Sequence, residues 1–253
     1  MQTQEQKFKI IDSTNSEAQR QLKNDNPPTE DFVIRADFQT EGRGQRGHTW
    51  TSTNAENLTF SYVFMPEKLE VQNQFLLSQT ASTVVADFLV NHGIQNVYVK
   101  WPNDVYVGMK KICGMLIENT LSGHYIKNSI IGIGLNINQT LFPANIPNPV
   151  SMTQITGVRY NLDEMFCEIM GLLRTELHNI SKENIPALKK KYMSKLLGLN
   201  KVMIYSSHGK IFKGIIKDVD SHGYITIENA DDNTEQTYDF NEVNLIIPEQ
   251  KKD

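Results

Sequence analysis

The chain has 253 residues, of which 39% are hydrophobic and 21% are charged, enough for one large and one small domain. Its net charge of −4 argues against a dedicated nucleic-acid binder, and no apolar run approaches the roughly 20 residues that span a bilayer. Two widely spaced cysteines imply no disulfide framework, and the polar first residues lack a signal-peptide core. We therefore expect a cytoplasmic protein of enzyme size that binds neither DNA nor membranes.

The first predicted element is a helix that begins near residues 13–15. Thr14 followed by Glu17 matches a capping box, and the Asn- and Pro-rich residues 24–28 end the helix. A helix start presents free N–H groups and a positive dipole end, where a ligand can bind. These residues alone also allow a plain helix cap.

A strand predicted over residues 32–38 leads to a loop rich in glycine and arginine. The loop reads Glu-Gly-Arg-Gly-Gln-Arg-Gly-His-Thr-Trp over residues 41–50. Its glycines make an open backbone that can approach a ligand, and its arginines suit a phosphate or carboxylate. A flexible Arg-Gly loop and a nucleic-acid contact remain alternatives at this point.

Two further elements precede the centre of the chain. Alternating apolar residues predict a strand over residues 57–64, and apolar residues at helical spacing predict a helix over residues 71–91 that ends at Gly93. The helix has the pattern of a core element, with no chemistry to assign.

The centre is Lys-Trp-Pro-Asn-Asp at residues 100–104, between strands predicted over 97–100 and 105–107. Pro102 cannot donate a ladder hydrogen bond, so it bends the chain. After a tight turn, Lys-Ile-Cys-Gly begins a third strand over residues 111–118. Lysines buried beside an Asn-Asp pair cost free energy unless charge is used there. A surface turn with solvated lysines is the alternative.

A strand predicted over residues 125–133 runs into Gly-Ile-Gly-Leu-Asn at 132–136. This is not a dinucleotide fingerprint, because neither a third glycine nor a helix follows. A plain buried strand end remains possible for the two glycines. Residues 141–149 form a Pro-rich loop.

The last part of the chain changes its period. Residues 161–178, opened by a capping box of Asn161 and Glu164, and residues 185–197, ended by Gly198, are predicted helices. From about Asn200 the period is 2, which predicts a small β-barrel. Its strands are expected over residues 202–204, 211–219, 224–228 and 238–247.

Three of these segments together resemble the signature of the biotin–protein ligases. They are Lys-Trp-Pro-Asn-Asp with the following Lys-Ile-x-Gly, the Gly-Arg-Gly-x-Arg-Gly-x-x-Trp loop, and Asp-Ser-Thr-Asn at residues 12–15. The resemblance covers almost the entire chain. It implies an α+β fold: a catalytic domain over 1–199, whose mixed sheet is flanked by helices as in class II aminoacyl-tRNA synthetases, and an SH3-like β-barrel over 200–253.

The resemblance also implies a reaction. The enzymes of this family use ATP to make biotinyl-5′-AMP with release of pyrophosphate, and then transfer biotin to a lysine of a biotin carboxyl carrier protein. ATP, Mg²⁺ and biotin are the expected small molecules, with no tightly bound prosthetic group. Repressor members carry an N-terminal winged helix-turn-helix, which does not fit before Ser13, so we expect the monofunctional form. Relatives include monomers and homodimers, and both remain open.

Residue roles follow from the same resemblance. Catalysis is assigned to Lys111 and Arg43, with Lys111 chosen over Lys110 by the Lys-Ile-x-Gly register. Biotin binding is assigned to Ser13, Thr14, Asn15, Gln39, Arg43, Gly44, Gln45, Lys111 and Gly114. ATP and adenylate binding are assigned to Gly42, Arg46, Trp50, Asn103, Asp104 and Asn136. Asp104 is also the candidate Mg²⁺ ligand, or it contacts the incoming lysine.

The chain departs from the family pattern in its loop. Gln45 stands where relatives often have arginine, and His48 stands where another basic residue is frequent, so we expect weaker retention of the intermediate. Two other functions compete with this hypothesis. A lipoate–protein ligase shares the fold but usually lacks Lys-Trp-Pro-Asn-Asp, and Lys111 counts against a non-catalytic biotin or adenylate sensor.

Overall fold

The computed structural model describes residues 4–248, with the side chain of Arg46 excepted. Its larger sheet has seven strands in the order β1-β2-β3-β7-β6-β5-β4. They are β1 (Gln4–Ile11), β2 (Phe32–Gln39), β3 (Leu58–Phe64), β4 (Val97–Lys100), β5 (Asp104–Val107), β6 (Lys110–Ser122) and β7 (Tyr125–Leu135). The β1–β2 pair is parallel and the other pairs are antiparallel, so the sheet is mixed.

The smaller sheet has five strands, all paired antiparallel, in the order β11-β10-β9-β8-β12. They are β8 (Val202–Ser207), β9 (Lys210–Val219), β10 (Ile225–Asn229), β11 (Glu235–Tyr238) and β12 (Val243–Leu245). The change to period 2 after Asn200 therefore predicted a second β unit correctly.

The larger sheet is covered on both faces, because β3 is buried on both of its sides. Leu58, Phe60, Tyr62 and Phe64 point into the main core, whereas Val63 points into a smaller cluster beneath α1. The helices are α1 (Thr14–Leu22), α2 (Phe75–Asn91), α3 (Met152–Thr156), α4 (Leu162–His178) and α5 (Ile185–Lys195). Helix α2 packs against α4 and α5. No helix in residues 4–248 is long and apolar enough to cross a membrane.

Several predicted boundaries need correction. The strand predicted over 238–247 is two strands, because a turn separates Tyr238 from Val243. The helix predicted from residue 71 begins at Phe75, after one 3-10 turn at Val71–Asn73. Helix α4 is capped by Asn161 as predicted, but the Glu164 side chain bonds to the side chain of Asn161, so the reciprocal backbone bond of a capping box is missing. Strand β1 and helix α3 were not predicted.

The two sheets meet in the middle of Lys-Trp-Pro-Asn-Asp. The Trp101 indole Nε1 donates to the carbonyl oxygen of Gly223 at 2.8 Å and the ring stacks on Phe240 at 5.4 Å between centroids. The next residue is held from a helix, because the buried Tyr192 hydroxyl donates to the Pro102 carbonyl oxygen at 3.0 Å. The signature segment is therefore part of the junction between the two units as well as a neighbour of the cavity described below.

Gly223 offers a test of this junction. Its φ is +92°, and a Cβ there would lie 2.6 Å from carbons of both Phe240 and Phe75, whereas Gly209, with φ +77°, faces open space. Both alanine variants have the left-handed strain of roughly 1–2 kcal/mol, but only Gly223→Ala adds overpacking, worth about 1–3 kcal/mol. Urea denaturation should therefore show a larger loss of unfolding free energy for Gly223→Ala. Equal losses would mean that the junction is loosely packed.

Candidate active site

A cavity of about 580 Å³ lies between the start of α1, the 42–50 loop, strands β6 and β7, and the smaller sheet. All the predicted site residues line it except Gly42, which is buried within the loop, and Arg46, whose side chain lies outside the described part of the chain. The lining members are Ser13, Thr14, Asn15, Gln39, Arg43, Gly44, Gln45, Trp50, Asn103, Asp104, Lys111, Gly114 and Asn136.

Ser13 caps helix α1 at the edge of this cavity. Its side chain accepts from the backbone N–H of Ser16 at 3.4 Å, so the capping box predicted for Thr14 and Glu17 is wrong by one residue. Thr14 is free for other contacts because it is not the cap. The pattern Ser-Thr-Asn-Ser offers hydroxyl or amide caps at every position, so the sequence alone could not identify which one is used.

Asp12 stabilises the same helix start from outside. Its carboxylate accepts from the Ser13 N–H at 2.7 Å and from both terminal nitrogens of Arg20 at 2.7 and 2.8 Å. The Arg20 hydrogen bonds lower the pKa of Asp12 to about 2, so this carboxylate is charged at neutral pH. A fixed negative charge at a helix N-terminus is favourable because it complements the helix dipole.

A chain of hydrogen bonds connects the helix start with strands β2 and β3. The backbone N–H of Thr14 donates to Gln39 Oε1 at 2.7 Å, and the hydroxyls of Thr14 and Ser61 lie 2.7 Å apart. Ser61 also donates to Asn15 Oδ1 at 2.6 Å. Ser61 was not predicted as a site residue, although Thr59 and Ser61 are polar residues inside a strand that is buried throughout. That polarity was the available signal.

The 42–50 loop folds back on itself over the cavity. Gly44 donates to the carbonyl oxygen of His48 at 2.7 Å, and Trp50 donates to that of Gly42 at 2.9 Å. The turn at Gln45–Gly47 is a single 3-10 turn. The loop is therefore a closed hairpin-like turn in this structure and not an open glycine-rich segment.

The Trp50 ring lies directly on Gly114 of β6 and Gly134 of β7. A Cβ on Gly134 would lie 2.2 Å from Trp50 Cε2, and one on Gly114 would lie 3.1 Å from Trp50 Cζ3, so only glycine lets the indole approach β7 this closely. Three buried polar atoms of residues that line the cavity have no hydrogen-bond partner among the described residues: Trp50 Nε1, Thr59 Oγ1 and the Tyr205 hydroxyl. Since buried polar groups are normally hydrogen-bonded, these atoms are available to the polar groups of a ligand.

Lys111 and Asp104 form an ion pair in the cavity, with Nζ 2.6 Å from Oδ2. Lys111 Nζ would lie 3.2 Å from a Cβ on Gly114, so the ammonium sits over that glycine. Lys110 is exposed and does not line the cavity. A register shift between Val105 and Tyr106 sets which lysine faces inward.

Two asparagines beside this pair are held by backbone carbonyls. Asn103 donates from Nδ2 to the carbonyl oxygen of Met115 at 3.0 Å, and Asn136 donates from Nδ2 to that of Val150 at 3.1 Å; both are almost fully buried. Burial raises the pKa of the Cys113 thiol, so this cysteine is not a nucleophile at neutral pH although it lies two residues from Lys111.

Arg43 reaches across the cavity mouth to Glu118, with Nη2 2.7 Å from Oε1. The other oxygen of Glu118 accepts from Asn15 Nδ2 at 2.8 Å. Glu118 was not predicted, because a charged residue near the end of a strand gives no local signal that it points inward. The described residues contain no group of three His, Cys, Asp or Glu side chains that could hold a metal by themselves.

Comparison with known proteins agrees with this geometry. Residues 7–136 match the biotin/lipoate A/B protein ligase family. The chain is 27% identical over 225 residues to the bifunctional ligase/repressor BirA of Bacillus spizizenii, covering 88% of this chain and 68% of that protein. It is 25% identical over 201 residues to the biotin–[acetyl-CoA-carboxylase] ligase of Mycobacterium tuberculosis, covering 78% and 73%.

A solved structure extends the match to the whole fold. The biotin protein ligase of Aquifex aeolicus in complex with biotin and ATP superimposes with a TM-score of 0.78 at 26% identity, covering 97% of this chain and 99% of that one. The family match spans just over half of the residues, including the helix start, the loop and the Lys111 strand. The chain belongs to the biotin/lipoate A/B protein ligase family.

Proposed function

We propose that this protein is a biotin–protein ligase. In the first step a biotin carboxylate oxygen attacks the α-phosphorus of ATP, the bond to pyrophosphate breaks, and biotinyl-5′-AMP forms. In the second step a lysine amine of a biotin carboxyl carrier domain attacks the acyl carbon, and AMP leaves. The observation that carries this proposal is the Lys111 ammonium, which lies over Gly114 inside the cavity that also holds the start of α1.

Charge is the main requirement of the first step, because two anions must meet. A preorganised ammonium in a partly enclosed site stabilises charge that develops on the phosphate and, later, on the oxyanion of acyl transfer. Lys111 is the candidate for both steps, and Arg43 supplies a second positive charge at the cavity mouth. We assign Asp104 to holding Lys111 in place before the ligands arrive.

The biotin head group requires an apolar slot with a few fixed hydrogen bonds. The hydrogen-bonded set at the start of α1 fits the ureido group, because it presents both hydroxyl and amide partners from rigid elements. Its members are Thr14, Asn15, Gln39 and Ser61, and Ser13 caps the helix beside them. Trp50 and Asn136 also line the cavity, and we place the adenine beside them.

The closed loop explains how the intermediate is protected. A mixed acyl-phosphate anhydride hydrolyses when water reaches it, so a loop that covers the site is mechanistically useful. The Gly44–His48 and Gly42–Trp50 hydrogen bonds hold the loop in its folded-back shape. Gln45 is half-buried and lines the cavity, with an amide where relatives often have arginine.

Mg²⁺ would reach the site with ATP. Mg²⁺ usually binds through one or two carboxylates plus substrate phosphates, so the single carboxylate of Asp104 fits such an ion without a dedicated protein cage. The ion would neutralise phosphate charge during adenylate formation. Asp104 would then exchange Lys111 for the ion.

The finer architecture belongs to this proposal. The larger sheet with its helices is assigned to the synthetase-like catalytic fold over 1–199, and the five antiparallel strands from Asn200 are assigned to an SH3-like barrel. Because Tyr205, Ile225 and Leu245 line the same cavity, the small unit would complete the site. The carrier domain is the protein partner we propose.

Two alternatives predict different outcomes in one assay. Pyrophosphate release from ATP is followed with biotin, with lipoate, and with neither, and carrier labelling is followed with a biotin carboxyl carrier domain. A biotin ligase releases pyrophosphate with biotin only and labels the carrier. A lipoate ligase prefers lipoate, and a non-catalytic sensor releases none, so either result would refute the proposal.

The two adjacent lysines give a matched test. Lys111→Ala removes the ammonium inside the cavity and should slow adenylate formation by about 10²- to 10³-fold, the cost of losing one preorganised charge or donor. Lys110→Ala changes an exposed side chain and should leave the rate within about twofold, as most surface substitutions do. Single-turnover formation of biotinyl-5′-AMP measures both. Equal rates in the two variants would reject the assignment of Lys111.

Gln45 gives a second test, on the lifetime of the intermediate. A charge-assisted hydrogen bond is worth about 1.5–3 kcal/mol and a neutral one about 0.5–1.5 kcal/mol. Gln45→Arg should therefore slow dissociation of biotinyl-5′-AMP by roughly tenfold without a faster first step. Filter-binding measurement of the dissociation rate decides. An unchanged rate would show that the residue 45 side chain does not contact the ligand.

A further inference from the structure

Glu118 contacts both the start of α1 and the 42–50 loop through one carboxylate. Its Oε2 accepts from Asn15 Nδ2 at 2.8 Å, at the start of α1. Its Oε1 accepts from Arg43 Nη2 at 2.7 Å, in the 42–50 loop. A single carboxylate on β6 therefore contacts the proposed biotin end and the covering loop together.

The first contact determines which way the Asn15 amide points. Because Nδ2 donates to Glu118 and to the carbonyl oxygen of Leu116 at 3.3 Å, Oδ1 must face Ser61. An amide oxygen cannot donate, so Asn15 Oδ1 accepts from the Ser61 hydroxyl, while the Thr14 hydroxyl donates to Gln39 Oε1 at 3.0 Å. The carboxylate thus sets the orientation of the Asn15 amide and, through it, that of the Ser61 hydroxyl.

The second contact holds the loop through its arginine. The backbone of Arg43 is bridged to Thr49 across the loop, so a fixed Arg43 side chain fixes the loop as a unit. The ion pair is half-exposed, with 41% of the Arg43 side chain and 25% of the Glu118 side chain accessible. An anion that enters the cavity and binds Arg43 must therefore displace the Glu118 carboxylate, and not only water.

We propose that Glu118 is a positioning residue: it orients Asn15 for the ligand and holds Arg43, and with it the 42–50 loop, closed until an anionic acyl phosphate takes Arg43 over. The identity of that ligand rests on the function proposed above. The closure of the loop by Glu118 does not, because it is a property of the ligand-free chain. Arg43 consequently has two successive partners, Glu118 before binding and the ligand afterwards.

Two variants separate the two contacts. Glu118→Gln keeps one amide oxygen, which can still accept from Asn15, but it loses the charge that holds Arg43. Glu118→Ala loses both contacts. Glu228→Gln is the matched control, because Glu228 pairs with Lys217 at 2.9 Å between two strands of the smaller sheet. The exposed fractions of the two side chains, 20% for Glu228 and 37% for Lys217, are similar to those of Glu118 and Arg43.

Limited trypsin digestion of the ligand-free chain measures how often the 42–50 loop opens. The rates at which peptides ending at Arg43 and Arg46 appear are followed by mass spectrometry. Both Glu118 variants should be cut about two- to fivefold faster than the wild type, the range that the strength of an exposed ion pair allows. Salt at 1 M, where the Debye length is about 3 Å, should speed cutting of the wild type and of Glu228→Gln but not of the Glu118 variants.

Biotin affinity, measured by calorimetry, tests whether Glu118 orients Asn15 for the ligand. Glu118→Ala should weaken biotin binding by about tenfold, whereas Glu118→Gln should leave it unchanged, because a hydrogen-bond acceptor remains.

Equal cutting of all four proteins would overturn the proposed closure, whatever the chain does with biotin. Equal biotin affinity of the wild type and Glu118→Ala would overturn the role toward Asn15. Absence of pyrophosphate release in the wild type would contradict the proposed function and leave the trypsin result standing.

Discussion

The rest of the site depends on where the Lys111 ammonium is held. It lies 2.6 Å from Asp104, the last residue of a segment whose backbone and side chains are fixed from three directions. Trp101 bonds to the smaller sheet, Tyr192 of α5 bonds to the Pro102 carbonyl, and Asn103 bonds to β6. A positive charge placed this rigidly is preorganised, so little reorganisation is needed when charge develops beside it. We therefore propose that the Lys-Trp-Pro-Asn-Asp segment acts mainly by positioning Lys111.

The same segment also joins the two β units. Trp101 stacks on Phe240, and Gly223 has no room for a Cβ between Phe240 and Phe75, so the two units pack through the signature segment itself. Residues of the smaller sheet also line the cavity. The position of the Lys111 charge and the shape of the cavity therefore depend on the same segment, because the segment that carries Asp104 also packs against the smaller sheet. Glu118 makes a comparable connection between α1 and the 42–50 loop.

Much of this could be predicted from the sequence, and the failures have physical reasons. Strong periodicity identified β3 and α2, and the motif register distinguished Lys111 from Lys110, because spacing relative to Gly114 is preserved in the strand. Strand β1 was missed because most of its residues are polar and none is buried, so its strand conformation rests on parallel pairing with β2, which no local pattern records. Ser61 and Glu118 were missed because each contacts a residue far away in the sequence, and no local pattern records such a contact. Ser61 bonds to Asn15, which lies 46 positions earlier, and Glu118 bonds to Arg43, which lies 75 positions earlier.

A structure of this chain with a non-hydrolysable analogue of biotinyl-5′-AMP would test the central claim most directly. The account predicts that the acyl-phosphate lies over Gly114, with Lys111 Nζ within hydrogen-bond distance of it, about 2.7–3.2 Å. It also predicts that Arg43 has left Glu118 for the phosphate, while the Asn103, Pro102 and Trp101 contacts are unchanged. An analogue bound elsewhere, or bound in the cavity with Lys111 still paired only to Asp104, would contradict the account.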